Sequence, residues 1–247
     1  MAGLDWLSSR PLAHRGLHDS ARVIENTPSA FNAAIAANYA IECDLQISAD
    51  GEAMVHHDHA LGRLTEGQGE IRALSAEALG KVAFKSTSDR MLRIGELCDL
   101  VAGRVTLVLE LKSRFDGDLQ LPRRVAQVLQ SYAGPVAAMS FDPAMLVALA
   151  QAAPGLPRGI VAEHRYDHAE WRALPRGQKT SLAYLLHGLR SRPHFVAYSV
   201  RDLPAVAPLV ARHIFGMPLL AWTVRNEDDR RRAARWANQI IFEGFRP

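Results

Sequence analysis

The stretch VTLVLELKS, residues 105–113, is a short apolar run that leads into a carboxylate and a lysine. A near-continuous apolar run of this length is typical of a parallel β-strand that is covered on both faces. The stretch AIECD, residues 40–44, has the same design and ends in two carboxylates and the cysteine between them. We therefore predict a parallel sheet with charged side chains where its strands end.

Eight such runs alternate along the chain with longer amphipathic segments. The predicted strands cover residues 11–13, 40–44, 105–110, 136–140, 159–163, 195–199, 219–222 and 239–243. The predicted helices cover residues 27–37, 119–132, 143–152, 179–190, 203–213 and 226–238. Alternating units of this kind build parallel sheets, so the class is α/β and eight units predict a (β/α)8 TIM barrel. A doubly wound sheet is the alternative, but it usually carries a glycine-rich phosphate turn after its first strand, and none follows here.

The segment 46–95 departs from a plain barrel. It is too long for one helical crossover, and it contains the hairpin-like turn ADGE at residues 49–52. We predict a small insertion over 46–95, after the second strand, within a single domain over residues 1–247. The segment 4–9 is expected to cover the floor of the barrel. A chain of 247 residues has a suitable length for one such domain.

The composition excludes several classes of protein. Hydrophobic residues make up 48% of the chain, which excludes intrinsic disorder, and two cysteines cannot form a disulfide scaffold. No segment predicts a membrane span or a secretory signal, so we expect no stable membrane insertion and a cytoplasmic location. The net charge of +3 is mild, and no nucleic-acid partner is expected. The oligomeric state is left open.

Carboxylates gather at the predicted ends of neighbouring strands. Glu42 and Asp44 are two residues apart on one strand, so both face the same side of the sheet, and Glu110 ends the next strand. Buried carboxylates need counter-charges or a metal ion. Oxygen ligands suit a hard divalent cation, Mg²⁺ or Ca²⁺, better than zinc, which prefers histidine or cysteine. The three residues are therefore a candidate metal site.

Histidines and cations accompany this candidate site. His14 and His57 could donate and accept protons, since imidazole titrates near neutral pH. Strand alternation turns His56 and His57 in opposite directions, so only one of them faces the site. Arg15 and Lys112 carry the charge that binds phosphoryl groups. The set predicts metal-assisted phosphoryl chemistry.

Several ordered motifs resemble the glycerophosphodiester phosphodiesterases, most closely the bacterial cytosolic type. They are HRG at 14–16, ENTPSAF at 25–31, ECDLQISADG at 42–51, VHHDHALGRLTEGQG at 55–69, LELKS at 109–113, SFDP at 140–143 and AWTV at 221–224. The resemblance runs through nearly the whole chain. It implies a TIM barrel with a small insertion, acting in lipid and glycerol metabolism. The expected reaction is hydrolysis of small glycerophosphodiesters, such as glycerophosphocholine or glycerophosphoethanolamine, to glycerol 3-phosphate and an alcohol.

The resemblance also implies a role for each matched residue. His14 and His57 would be the catalytic pair, while the neighbouring glycerol hydroxyl of the substrate attacks phosphorus and water opens the cyclic product. The cation would bind to Glu42, Asp44 and Glu110. Arg15 and Lys112 would hold the phosphate, Trp222 would line the glycerol pocket, and Asn26 would support the site through hydrogen bonds. The end of the chain, IIFEGFRP at 240–247, departs from the family pattern, so Glu243 and Phe245 are not assigned to the site.

Two other functions remain open at this point. A phosphodiesterase for lysophospholipids or other lipid-like diesters would need an apolar channel, most plausibly from residues 60–95. A catalytically silent barrel that binds anionic metabolites is the third hypothesis, and the presence of both His14 and His57 argues against it. The headgroup, the choice between Mg²⁺ and Ca²⁺, and which histidine is the acid are not determined by the sequence.

Overall fold

A computed structural model describes residues 3–19 and 21–247, and only the backbone of Ala169. The predicted domain range 1–247 thus includes residues 1, 2 and 20, which lie outside the described residues. Within the described part, parallel strands form a closed TIM barrel in the order β1-β2-β4-β5-β6-β7-β8-β9, with β9 pairing back to β1. The strands are β1 Leu12–Ala13, β2 Ala40–Ile47, β3 Ala53–Val55, β4 Leu107–Leu111, β5 Val136–Ser140, β6 Arg158–Ala162, β7 Phe195–Ser199, β8 Leu219–Val224 and β9 Gln239–Phe242.

Helices surround the barrel and connect its strands. The α-helices of the described residues are α1 Pro28–Ala36, α2 Ala76–Gly80, α3 Ile94–Val101, α4 Gln120–Leu129, α5 Pro143–Ala152, α6 Arg176–Ala183, α7 Gly188–Ser191, α8 Val206–His213 and α9 Glu227–Trp236. Short 3-10 helices are Asp5–Ser8, Ile71–Ala73, Ala169–Trp171 and Val200–Asp202. None of the helices in the described part combines the length and the apolar character that a membrane crossing requires.

The predicted barrel is confirmed, and the main difference in its elements lies in one helix. Each of the eight predicted strands is present within a few residues, and Thr27 and Asn226 cap the helices that they precede. The predicted helix 179–190 is instead two helices, α6 and α7. Leu185 takes a left-handed backbone conformation, with a φ of 56°, and a helix cannot continue through it.

The segment between β2 and α3 forms a small unit beside the barrel mouth. β2 runs to Ile47, beyond the predicted end at residue 44, and β3 returns antiparallel to it. The unit has its own apolar cluster, which includes Met54, Ile71 and Leu79. The backbone N–H of His56 donates to the carbonyl of Asp44 at 3.0 Å. The residues that follow β3 therefore lie directly over the carboxyl end of β2.

The opposite end of the barrel is closed by the amino-terminal segment. Leu7 is fully buried and packs with Leu12 and Val108 inside the barrel. Gln239 Nε2 donates to the carbonyl of Ser8 at 2.9 Å, which ties the segment to β9. The predicted floor is thus confirmed, and the carboxyl ends of the strands remain open for a site.

Candidate active site

The three predicted metal ligands lie together at the carboxyl end of β2 and β4. Asp44 pairs in register with Glu110, and Glu42 lies two residues earlier on the same face of β2. One carboxylate oxygen from each of the three residues lies within 4.8 Å of the others. All three side chains are buried, with residue exposures of 1%, 0% and 7% for Glu42, Asp44 and Glu110. The register of two neighbouring strands therefore concentrates three acids in one buried place.

The electrostatics of this triad fit a divalent cation. Burial, followed by the charges of Asp44 and Glu110, raises the pKa of Glu42 well above its usual range. Burial also opposes ionisation of Asp44, but Lys112 and Arg15 outweigh it and hold the pKa of Asp44 well below its usual range. Glu42 Oε1 is buried without a hydrogen-bond partner among the described residues. A hard cation among these oxygens would neutralise Glu42 and use its free oxygen.

Arg15 reaches the triad because the HRG turn has an unusual backbone. Gly16 has a φ of 80°, and a Cβ at this position would lie 2.9 Å from the carbonyl carbon of Ala30, so the turn requires glycine. Arg15 itself has a φ of 55°, and its backbone N–H donates to Glu42 Oε2 at 3.0 Å. Its Nε lies 3.2 Å from Asp44 Oδ2. The turn therefore brings both the backbone and the side chain of Arg15 to the carboxylates.

Lys112 and Asn26 complete the contacts around the acids. Lys112 Nζ lies 2.6 Å from Glu110 Oε1 and 2.9 Å from Asp44 Oδ1. Asn26 Nδ2 donates to Asp44 Oδ2 at 2.8 Å, and Asn26 Oδ1 accepts from the backbone N–H of Asp44. Asn26 thus fixes the orientation of the Asp44 carboxylate, in the supporting position that the resemblance implies.

Each of the two predicted catalytic histidines is bound to a carboxylate through Nδ1. His14 Nδ1 hydrogen-bonds Glu243 Oε2, and His57 Nδ1 lies 2.8 Å from Asp58 Oδ1. Ionised carboxylates only accept hydrogen bonds, so Nδ1 carries the proton in each ring and Nε2 is left for chemistry. His14 Nε2 lies 3.9 Å from Glu42 Oε2, beside the triad. Two oriented imidazoles therefore border the candidate metal site.

Arginines hold both of these carboxylates in turn. Arg225 Nε donates to Glu243 Oε1 at 2.6 Å, and Arg63 Nε donates to Asp58 Oδ2 at 2.5 Å. The pKa values of Glu243 and Asp58 lie below their usual range: burial opposes ionisation, but bonds to the histidines and arginines outweigh it. Glu243 is a contact of the site that was not predicted from the sequence. Its position at the end of the last strand, like that of Glu110 on β4, was the available signal.

The predicted site residues border one cavity at the barrel mouth, with a volume of about 950 Å³. Those that line it are His14, Arg15, Glu42, His57, Glu110, Lys112 and Trp222. Asp44 is buried behind the lining, where it contacts Lys112 and Arg15. His56 is buried and does not line the cavity, as predicted, although both histidines follow β3, which ends at Val55, so strand alternation is not what separates them. Aromatic side chains, those of Phe141 and Trp171 among them, also line the cavity.

Comparison with known proteins connects this site to one family. Residues 14–244 match the model of the glycerophosphoryl diester phosphodiesterase family. A glycerophosphodiester phosphodiesterase from Caldanaerobacter subterraneus subsp. tengcongensis is 34% identical over 110 residues. That alignment covers 41% of this chain and 44% of the relative, so the chain spans less than half of the relative's length in this match.

Solved structures show the same fold. A phosphodiesterase from Oleispira antarctica, in complex with the product sn-glycerol-3-phosphate, has a TM-score of 0.78 and 21% identity, over 96% of this chain and 94% of that one. A glycerophosphodiester phosphodiesterase from Thermotoga maritima has a TM-score of 0.70 and 22% identity, over 94% and 92% of the two chains. At this level of identity the likeness establishes the fold alone.

Proposed function

The chain belongs to the glycerophosphoryl diester phosphodiesterase family, and we propose that it hydrolyses glycerophosphodiesters to glycerol 3-phosphate and an alcohol with the help of one divalent cation. The observation that carries this proposal is the buried triad of Glu42, Asp44 and Glu110 beside two histidines that carboxylates orient. The same cavity offers two cations for a phosphate, Arg15 and Lys112. This combination of groups suits phosphoryl transfer.

The triad would hold the cation through its carboxylate oxygens, and both Mg²⁺ and Ca²⁺ bind oxygen ligands of this type. When bound, such a cation supplies positive charge to the phosphodiester oxygens and stabilises the charge that develops during the reaction. Lys112 and Arg15 would bind the other phosphate oxygens. Trp222, which packs edge-on against Phe141 with ring centroids 5.4 Å apart, would form the apolar wall against the glycerol.

The histidines would move the protons. Nε2 of one imidazole accepts the proton of the neighbouring glycerol hydroxyl as its oxygen bonds to phosphorus. Nε2 of the other donates a proton to the oxygen of the departing alcohol as that phosphorus–oxygen bond breaks. Water then opens the cyclic phosphate with the proton roles exchanged, which gives glycerol 3-phosphate. Glu243 and Asp58 would act as positioning residues, since they keep each Nδ1 protonated and each Nε2 directed at the substrate.

The lysophospholipid alternative gains no support from the cavity. Residues 60–95, the most plausible source of the apolar channel that it needs, do not line the cavity. A small diester fits the observations without such a channel.

The identity of the products tests the proposed reaction. With glycerophosphocholine and Mg²⁺, we expect equimolar glycerol 3-phosphate and choline, because the leaving group is the alcohol opposite the glycerol. Phosphorus NMR and a glycerol 3-phosphate dehydrogenase assay would follow both the cyclic intermediate and the product. Release of glycerol and phosphocholine would contradict the proposal, and so would a lack of turnover with every glycerophosphodiester supplied.

A further inference from the structure

A buried carboxylate faces the cavity on the side away from the histidines. Glu163 directly follows β6 and lines the cavity, yet its residue exposure is only 6%. Its Oε1 accepts a hydrogen bond from the indole N–H of Trp171, which also lines the cavity. This bond fixes one oxygen of the carboxylate against an aromatic ring, while Oε2 makes no bond with the indole.

Aromatic rings surround this pair. The ring centroid of Trp171 lies 4.9 Å from that of Phe141, 5.3 Å from that of Tyr166 and 6.2 Å from that of Phe115. Three of these rings, those of Phe115, Phe141 and Trp171, line the cavity. Aromatic faces attract cations, and they do so most strongly where water is excluded.

The charge of Glu163 is poorly compensated within the chain. Within the part of the chain that the structure describes, Glu163 forms no ion pair with lysine or arginine, and the basic side chain that contacts it is that of His168, whose Nε2 lies 3.9 Å from Oε2. His168 is largely exposed, with 60% of its side chain accessible, so solvent screens it. Burial raises the pKa of Glu163, and the nearby Asp202 and Glu170 add to this effect. A positively charged group on a bound ligand would compensate the charge of the Glu163 carboxylate.

Glu163 lies across the barrel mouth from His14, where one arm of a diester bound at the triad would reach. β1, which precedes His14, and β6, which precedes Glu163, are separated by four steps in either direction around the closed sheet. His14 and Glu163 therefore lie on opposite sides of the mouth, and the cavity runs between them. A phosphodiester held at the triad could extend one of its two arms to Glu163.

We propose that Glu163, Trp171 and Phe141 form a headgroup subsite for the cationic alcohol of the substrate, a quaternary or primary ammonium group such as that of choline or ethanolamine. This inference rests on the proposed function and adds to it a preference for diesters of cationic alcohols. The carboxylate would neutralise the ammonium charge, and the rings of Trp171 and Phe141 would cover its methyl or methylene groups. Diesters with an uncharged alcohol would gain nothing from Glu163.

The test is Glu163→Gln, which keeps the shape and an oxygen that can accept from Trp171. We expect kcat/KM for glycerophosphocholine to fall about tenfold or more, as removal of a desolvated cation partner implies. For bis(glycero)phosphate, whose alcohol is uncharged, the change should stay below about twofold. Glu66→Gln is the control, because Glu66 is an exposed carboxylate that does not line the cavity. This control substitution should leave kcat/KM nearly unchanged for both substrates.

A binding measurement separates this proposal from the proposed function. In calorimetric titration with choline alone, Glu163→Gln should bind at least about tenfold more weakly than the wild type. Equal binding by the two, or an equal loss of kcat/KM on both substrates, would overturn the headgroup subsite; the second result would place Glu163 at the glycerol instead. If the wild type releases glycerol 3-phosphate from neither substrate, the proposed function fails, and the choline titration still decides the role of Glu163.

Discussion

His14→Ala and His57→Ala should each lower kcat on glycerophosphocholine by about 10²- to 10⁴-fold, the range that a general acid or base contributes. Both rings line the cavity, and both have Nδ1 bound to a carboxylate, so each offers Nε2 to the substrate. Loss of either ring removes one of the two proton transfers that the reaction needs. KM should change much less, because Arg15, Lys112 and the cation would hold the phosphate in the proposed mechanism.

His213→Ala is the control for these variants. His213 is exposed at the end of α8 and does not line the cavity, so this substitution should leave kcat within about twofold of the wild type, as is usual for a surface change. Steady-state kinetics on all three proteins would decide. Near-normal kcat in both His14→Ala and His57→Ala would show that the proton-transfer roles are assigned to the wrong residues.

Glu42→Gln should weaken cation binding strongly and shift cation-dependent turnover to higher cation concentrations, while it stabilises the metal-free protein. The lost ligand leaves two carboxylates, one of them already paired closely with Lys112 at 2.6 Å, so we expect affinity to fall about 100-fold. Calorimetric titration with Mg²⁺ or Ca²⁺ would measure it. Glu77→Gln, at an exposed residue of α2, serves as the control and should bind like the wild type.

The expected gain in stability of the metal-free Glu42→Gln protein follows from the pKa of Glu42. Burial and the neighbouring acids raise this pKa in the folded chain, so the folded state holds the proton more tightly than the unfolded state does. The free energy of unfolding therefore falls as the pH rises from the unfolded pKa, about 4.3, towards the higher folded value. In chelator at neutral pH, Glu42→Gln should raise the free energy of unfolding by about 1–3 kcal/mol, measured by denaturant unfolding.

The cation affinity and the free energy of unfolding of Glu42→Gln test separate parts of this prediction. Unchanged cation affinity in Glu42→Gln would remove Glu42 from the metal site. A metal-free variant that is less stable than the wild type at neutral pH would mean that the charge of Glu42 is compensated within the chain.

The sequence predicted the barrel and most of the residues around the cavity because both depend on local periodicity. The period of two on β2 places Glu42 and Asp44 on one face, and the parallel register then places Glu110 opposite Asp44. These relations need only a strand assignment and the rule that parallel strands share their carboxyl ends.

Other parts of the site depend on contacts that no short pattern contains. Glu243 contacts His14 across 229 positions of sequence. Although Glu243 ends a predicted strand, the departure of its segment from the family pattern argued against assigning it. Glu163 and Trp171 meet across an irregular segment without periodicity, and the break between α6 and α7 depends on one left-handed residue, Leu185. Such features follow from tertiary packing and not from local propensity.

The metal dependence of the reaction is tested by the rate of glycerol 3-phosphate release from glycerophosphocholine by chelator-treated wild-type protein as Mg²⁺ or Ca²⁺ is titrated back. We expect almost no release in chelator and a saturable recovery at one cation per chain, which Glu42→Gln should show only at about 100-fold higher cation concentrations. Full activity in chelator, or the same recovery in Glu42→Gln, would contradict a metal-dependent phosphodiesterase centred on Glu42, Asp44 and Glu110.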